Sequence, residues 1–149
     1  MGVVVYLELQ RKLETTSFGN GLVKTADPRA SEKTIYLIEP EEQERQRLEV
    51  LLKHYYENVA VFDTTAAFIA QIDTVTSGCV VISSVSSEMN TLEFVKWLQC
   101  KTLDLVILVL GDEHNVQHAV SLLRAGANDF LERPFTDYKL RLAVNRVLQ

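Results

Sequence analysis

From Thr34 onward, apolar residues alternate between two periods along the chain. Short β-branched runs are followed by stretches in which apolar residues recur at helical spacing. Thr34-Ile35-Tyr36-Leu37-Ile38 predicts a first strand ending at Glu39-Pro40. The polar stretch Glu41 to Arg47 then opens a helix whose predicted core face is Leu48, Leu51, Leu52 and Tyr55. Asn58-Val59-Ala60-Val61-Phe62 predicts a second strand, and Asp63-Thr64-Thr65 a helix start followed by an apolar face of Phe68, Ile69 and Ile72. Gly78-Cys79-Val80-Val81-Ile82-Ser83 is apolar without alternation, which predicts a strand buried on both faces. Leu92, Val95 and Leu98 mark a third helix, and Leu105 to Leu110 a fourth strand ending at Gly111. Val116, Ala119, Val120 and Leu123 form a helical stripe stopped at Ala125-Gly126, where glycine can adopt a left-handed cap. Asp129-Phe130-Leu131 predicts a short fifth strand closed by Arg133-Pro134-Phe135, and Leu140, Val144, Val147 and Leu148 a last helix. Five strands alternating with five amphipathic helices predict an α/β, doubly wound five-stranded parallel sheet in a single domain over 34–149.

Residues 1–33 stand apart as an N-terminal extension. Val3 to Leu9 could be an edge strand, Ser17 to Gly21 a turn, and Ala26 to Arg29 a linker. A partner-binding arm and a poorly ordered terminus are equally good readings.

Composition narrows the function class. The chain has 149 residues, 47% hydrophobic and 23% charged, with a formal net charge of -5, so no electrostatic footprint for nucleic acid or an anionic membrane is present. Its apolar runs are too short to span a bilayer and no basic leader precedes Val3, so a cytoplasmic location is expected. Cys79 and Cys100 have no CxxC or zinc-type spacing and read as reduced core residues. No P-loop, GxSxG or GxGxxG motif supports an enzyme, and no cofactor is expected. His114 and His118 have the i, i+4 spacing of paired metal ligands, yet no third ligand accompanies them. An exposed polar face is the favoured reading, with no metal. Ser83, Ser84, Ser86 and Ser87 could accept phosphate from a kinase, although a polar loop capping the next helix is favoured. Trp97 is read as a partly buried core residue rather than an exposed anchor.

The stretch from Leu123-Arg124-Ala125-Gly126-Ala127-Asn128-Asp129-Phe130-Leu131-Glu132-Arg133-Pro134-Phe135 is similar to a "KAGAxDFLxKPF" segment. With Thr34 to Glu39 and Gly78 to Ile82 as first and third strands, residues 34–149 resemble the receiver (flavodoxin-like) domain of bacterial two-component response regulators. The branch most resembled is that of the nitrogen-fixation and nodulation regulators. The resemblance implies a strand-three aspartate that takes a phosphoryl group, an acidic pair holding magnesium, and a hydroxyl and a lysine that sense the phosphate.

Here the aspartate position falls on Ser83, the acidic pair on Glu39-Pro40, the hydroxyl on Leu110 and the lysine on Arg133, with Phe130 a further switch position. Serine and proline remove two side-chain oxygens that magnesium would need. Glu41 and Glu42 are read as solvated first-turn carboxylates. Arg133 keeps the charge but not the ammonium's shape, and either pairs with Glu39 or turns to solvent. The resemblance also implies a cis Arg133-Pro134 bond. The joint loss points to a pseudo-receiver acting by phosphorylation-independent contact with a protein partner, or as a homodimer.

The contact face that the resemblance implies would offer Gln117, Ser121, Arg124, Asp129, Tyr138 and Arg141, and a second face would combine the first and last helices. The alternative is the receiver part of a DNA-binding regulator with a helix-turn-helix output domain, revived by any reading frame continuing past Gln149. A third reading, an enzyme using Ser83 with Glu39, is disfavoured.

Overall fold

The computed structural model describes residues 33–75, 77–84, 90–101, 103–112 and 116–149. The predicted arm to residue 32, and with it His114, Ser86 and Ser87, lies outside the described residues. The elements run β1 (Thr34–Ile38), α1 (Glu42–Tyr55), β2 (Asn58–Phe62), α2 (Thr65–Ala70), β3 (Gly78–Ser83), α3 (Thr91–Gln99), β4 (Leu105–Asp112), α4 (Val116–Ala125), β5 (Asp129–Arg133) and α5 (Asp137–Leu148). The five strands form one parallel sheet in the order β2-β1-β3-β4-β5. All carboxyl ends therefore share one edge, and the order reverses between β1 and β3, where such sheets form their crevice.

Strand alternation divides the core. Tyr36, Ile38, Val80, Ile82, Ile107 and Val109 pack with Phe68 of α2, Phe94, Val95 and Leu98 of α3, and Leu122 of α4. Ile35, Leu37, Cys79, Val81, Leu108 and Leu110 pack with Leu48 and Leu52 of α1 and Leu140, Ala143 and Val144 of α5. Helices thus cover both faces, and every residue of β3 is buried, as its unbroken apolar run requires. No helix among the described residues is long and apolar enough to cross a membrane.

Local chemistry sets the helix ends. The Thr64, Asn90 and Thr136 side chains accept from backbone N–H groups three residues on, capping α2, α3 and α5. Gly126 closes α4 with φ 126°, and the Ala127 N–H reaches the Leu122 carbonyl at 3.0 Å.

Several expectations about the elements change. Ile72 lies outside α2, in a 3₁₀ turn over Ile72–Thr74, because the Gln71 N–H bonds the Phe68 carbonyl at 2.9 Å and tightens the last turn. β4 runs two residues past Leu110. Tyr55, the last residue of α1, is exposed and lies under the Arg141 guanidinium, 4.5 Å from its ring centroid. The α4 stripe is not a core face: Val116, Val120 and Leu123 are 67%, 38% and 43% exposed, and the helix buries Leu122 instead.

Trp97 is half-buried, stacked on Phe94 with the Lys101 ammonium 4.6 Å from its centroid. Cys79 is buried, and its thiol is pushed well above the ordinary range by desolvation; Cys100 is exposed rather than in the core.

The Tyr56 hydroxyl donates to Asn145 Oδ1 at 2.5 Å, tying the end of α1 to α5. Asn145 is buried and its Nδ2 has no partner among the described residues. Tyr56→Phe therefore strands a buried amide and is expected to lower the unfolding free energy by about 1–2 kcal/mol, read from the midpoint of urea denaturation.

Candidate functional site

The parallel register brings the ends of β1, β3, β4 and β5 around one cleft of roughly 510 Å³, lined by Glu39, Pro40, Glu41, Glu44, Ser83, Asp112 and Arg133. Glu39 directly follows β1 and is held in line by its N–H bond to the Phe62 carbonyl at 3.0 Å. Ser83 ends β3 and is fully buried, and Arg133 ends β5 opposite Asp112 in the β4–β5 register.

One guanidinium organises the floor. Arg133 Nη2 donates to Glu39 Oε1 at 3.1 Å and to Ser83 Oγ at 3.4 Å, while Nη1 donates to the Leu110 carbonyl at 3.4 Å. Glu39 Oε2 accepts from the Glu41 N–H at 3.0 Å. The Glu39 side chain is only 3% exposed against 23% for Arg133, so the carboxylate is the buried partner of this pair. Burial pushes the Glu39 carboxyl above its ordinary value, outweighing the Glu41 N–H, Arg133 and Ser83, which all favour the charged form. At the rim, Arg47 bonds Glu44 at 2.9 and 3.0 Å and holds its carboxyl below the ordinary range.

Ser83, Glu39, Pro40 and Arg133 are brought together as the resemblance implies, and Arg133 pairs with Glu39 rather than turning to solvent. Arg133-Pro134 is cis. Leu110 contributes only its carbonyl, since its side chain packs against α1 and α5. The Phe130 ring lies over Gly111: a Cβ there would sit 2.5 Å from the Phe130 ring and 2.8 Å from Ser84 Oγ. Ser83 is fully buried and Ser84 is half-buried. Both Glu39 oxygens accept hydrogen bonds, one from Arg133 and one from the Glu41 N–H.

Sequence reasoning missed three residues. Asp112 and Glu44 add carboxylates to the cleft mouth, and Arg45 Nη1 bonds the carbonyls of Glu39 at 3.1 Å and Pro40 at 3.3 Å. The available signal for Asp112 was its place two residues beyond Leu110, where a strand continuing past Gly111 would carry it to the edge. No group of His, Cys, Asp and Glu able to hold a metal ion occurs among the described residues.

The implied contact face divides. Gln117 and Arg124 are exposed and Ser121 half-buried on α4, while Asp129 pairs with Arg146 at 3.0 Å. Arg141, expected to be exposed, is buried on the α1 side of α5 between Tyr55 and the exposed Tyr138, 5.8 Å from the latter's centroid. Beside those residues, Val116, Ala119, Val120 and Leu123 of α4 line a groove of roughly 450 Å³ together with Phe130, Leu131 and Pro134, and the charged Asp129, Glu132, Arg133 and Lys139 line it too.

Comparison with known proteins gives one consistent result. The model of the response regulator receiver domain matches residues 35–145. The chain is 29% identical over 115 residues to the transcriptional regulatory protein FixJ of Bradyrhizobium diazoefficiens, covering 77% of this chain and 56% of that protein. It is 27% identical to FixJ of Rhizobium meliloti over 76% of this chain and 55% of that one. The chain thus spans little more than half the length of these relatives. The crystal structure of full-length FixJ from B. japonicum superimposes with a TM-score of 0.74 at 28% identity, covering 79% of this chain and 58% of that one. The FixJ-N structure gives 0.73 at 26% identity over 83% and 94% of the two chains.

Proposed function

This chain belongs to the response regulator receiver domain family, and from that membership we propose that it is a pseudo-receiver: a two-component signalling domain that acts by protein contact and not by phosphoryl transfer. The observation that carries the reading is the Arg133 guanidinium bonded to both Glu39 and Ser83 at the position where the resemblance expects a phosphoaspartate. Serine there supplies a hydroxyl in place of a carboxylate, Pro40 supplies no side-chain oxygen, and Leu110 supplies no hydroxyl. The buried carboxylate of the floor, Glu39, is already paired with Arg133, while at the mouth Glu44 is held by Arg47 and Glu41 caps α1. The cleft therefore lacks the hard oxygen set that magnesium requires, and no enzymatic role is assigned to it.

Contact with a protein partner, or with a second copy, is assigned to the α4–β5 groove, because three exposed apolar side chains on one helix face form the kind of patch that interfaces cover. Location in the cytoplasm and the absence of nucleic-acid binding by this domain follow from the same reading and from the acidic balance.

The test is direct. On adding beryllofluoride with magnesium, amide spectra are expected to show no saturable change at Ser83, Ser84 or Arg133. A saturable response centred on Ser83 would contradict the proposal.

A second reading is favoured by the curated relatives being named transcriptional regulatory proteins of which this chain spans about half. In that reading the domain is the receiver part of a DNA-binding regulator, and its contacts serve an attached output domain.

A further inference from the structure

The two edges of the sheet are built differently. β2 ends the strand order on one side and β5 on the other. β5 carries Asp129, Glu132 and Arg133 and is followed by Pro134, the charges and proline with which an edge strand turns other chains away. β2 is Asn58-Val59-Ala60-Val61-Phe62, with neither a charge nor a proline. Its apolar residues are all only half-buried, whereas every residue of β3 is buried. Val59 and Val61 pack on the α1 side of the sheet and Ala60 and Phe62 on the α2 side, so both faces of the strand stay partly open. The Phe62 carbonyl accepts from the Glu39 N–H at 3.0 Å, which turns the Phe62 backbone toward β1. Backbone direction alternates along a strand, so the N–H and carbonyl groups of Val59 and Val61 face outward, away from β1.

We propose that the segment from Val3 to Leu9 of the same chain adds to this edge as a further strand beside β2. Val3-Val4-Val5-Tyr6-Leu7-Glu8-Leu9 has the β-branched and aromatic composition of a strand and is long enough to cover β2 from end to end. Charge fits as well. The exposed Glu57 and Asp63 flank β2, and Arg11-Lys12 follow the segment, so a basic pair meets an acidic residue whichever way the added strand runs. Residues 10–33 connect Leu9 to β1 and can extend to about 80 Å. The outer side of β2 is two strand spacings, or about 10 Å, from β1. The tether therefore reaches with ample slack, and its high effective concentration favours the chain's own segment over that of a second copy. Strand addition satisfies the outward backbone of Val59 and Val61 and covers the edge that carries no protection of its own. Any other chain adding a strand there must first displace the arm.

Hydrogen exchange on the whole chain, followed amide by amide by NMR, tests the proposal. Ala60, whose N–H faces β1, is the internal reference. In the wild type Val59 and Val61 are expected to exchange within about tenfold of Ala60, whereas amides on a bare edge exchange faster than that. Val4→Pro and Val5→Pro each remove one N–H, and because successive N–H groups point to opposite sides, one of the two breaks the ladder to β2. That variant is expected to speed exchange at Val59 or Val61 by about tenfold or more while Val81 of β3 keeps its wild-type rate. Thr25→Pro, in the connection, should leave all of these rates unchanged. Fast exchange at Val59 and Val61 in the wild type overturns the proposal. Slow exchange that both proline variants leave untouched also overturns it, since something else then covers the edge. So does slow exchange that is lost on dilution, which assigns the edge to a second copy. Should neither proline variant fold, cross-strand NOEs between β2 and the segment from Val3 to Leu9 in the wild type decide the question, and their absence overturns the proposal.

Discussion

Arg133→Ala is expected to lower the unfolding free energy by about 3 kcal/mol at neutral pH, because it leaves a buried carboxylate without its countercharge. The effect should be lopsided across the pair. Glu39 is nearly enclosed, whereas the Arg133 side chain is partly open to water and can turn outward once released. Glu39→Gln should therefore cost only about 1 kcal/mol, the net value of a lost charge-assisted hydrogen bond less the desolvation it relieves. With Gln at position 39, removing Arg133 should cost much less than it does alone, since the stranded charge no longer exists. Urea denaturation of the two single variants and the double variant measures all three values.

The same pair fixes a sign for pH. Burial holds the Glu39 carboxyl above its ordinary value of 4.5, so the folded chain binds this proton more tightly than the unfolded chain. Stability linked to this group is fully present below the unfolded value and is lost as pH rises through the raised one. Arg133→Ala removes one of the interactions that oppose the rise, which moves the folded value further up and widens the window. The penalty of Arg133→Ala should accordingly shrink as the solution is acidified toward 4.5. Glu44 works in the opposite direction, its carboxyl being lowered by Arg47, so the comparison belongs between Arg133→Ala and the double variant, where Glu44 contributes to both. A penalty unchanged between acid and neutral pH would contradict the assignment of Glu39 as the buried charge.

The parts of this fold that were legible in the sequence are those where a single environment dictates the residues. β3 is enclosed on both faces, so an unbroken run of Cys79, Val80, Val81 and Ile82 has one good reading. α4 shows the opposite case. Val116, Val120 and Leu123 recur as a core-facing stripe would, but hydrophobic periodicity records only that a face is apolar. Whether a sheet or a groove lies beneath it depends on tertiary placement, here settled by Leu122 pointing into the core.

A related limit explains Tyr55, misplaced by spacing, and Arg141, misplaced by the resemblance: they sit against each other between α1 and α5, a contact between residues 86 positions apart. At the cleft, the residue types at Glu39, Ser83 and Arg133 were readable only because a family resemblance aligned three strand ends far apart in the chain. The choice between an Arg133–Glu39 pair and a solvated guanidinium was not readable, since it depends on a burial difference that no local pattern encodes. Asp112 escaped because Gly111 looked like the end of a strand that in fact continues past it.

Ser83→Asp alone is expected to destabilise the fold by about 2–3 kcal/mol at neutral pH, and the double change Pro40→Asp with Ser83→Asp is expected to make the fold magnesium-responsive. The single change places a second carboxylate in the buried floor, where one guanidinium is already committed to Glu39; two close carboxylates on one cation raise each other's pKa and weaken the charged fold. Without an oxygen at position 40 a metal would have too few hard donors to relieve that repulsion. Supplying a third carboxylate, at position 40, changes the balance, because magnesium can then neutralise the acidic floor and bind the folded chain but not the unfolded one. Magnesium at 100 times its dissociation constant would add about 2.7 kcal/mol, enough to offset the cost of Ser83→Asp. Thermal unfolding of the wild type, the single variant and the double variant, each with and without magnesium, measures the difference. The wild type should not respond to the metal and the double variant should. A wild-type chain stabilised by magnesium would show that Glu39 and the rim carboxylates already form a competent site, and the proposal that the cleft has given up phosphoryl chemistry would then fail at its first premise.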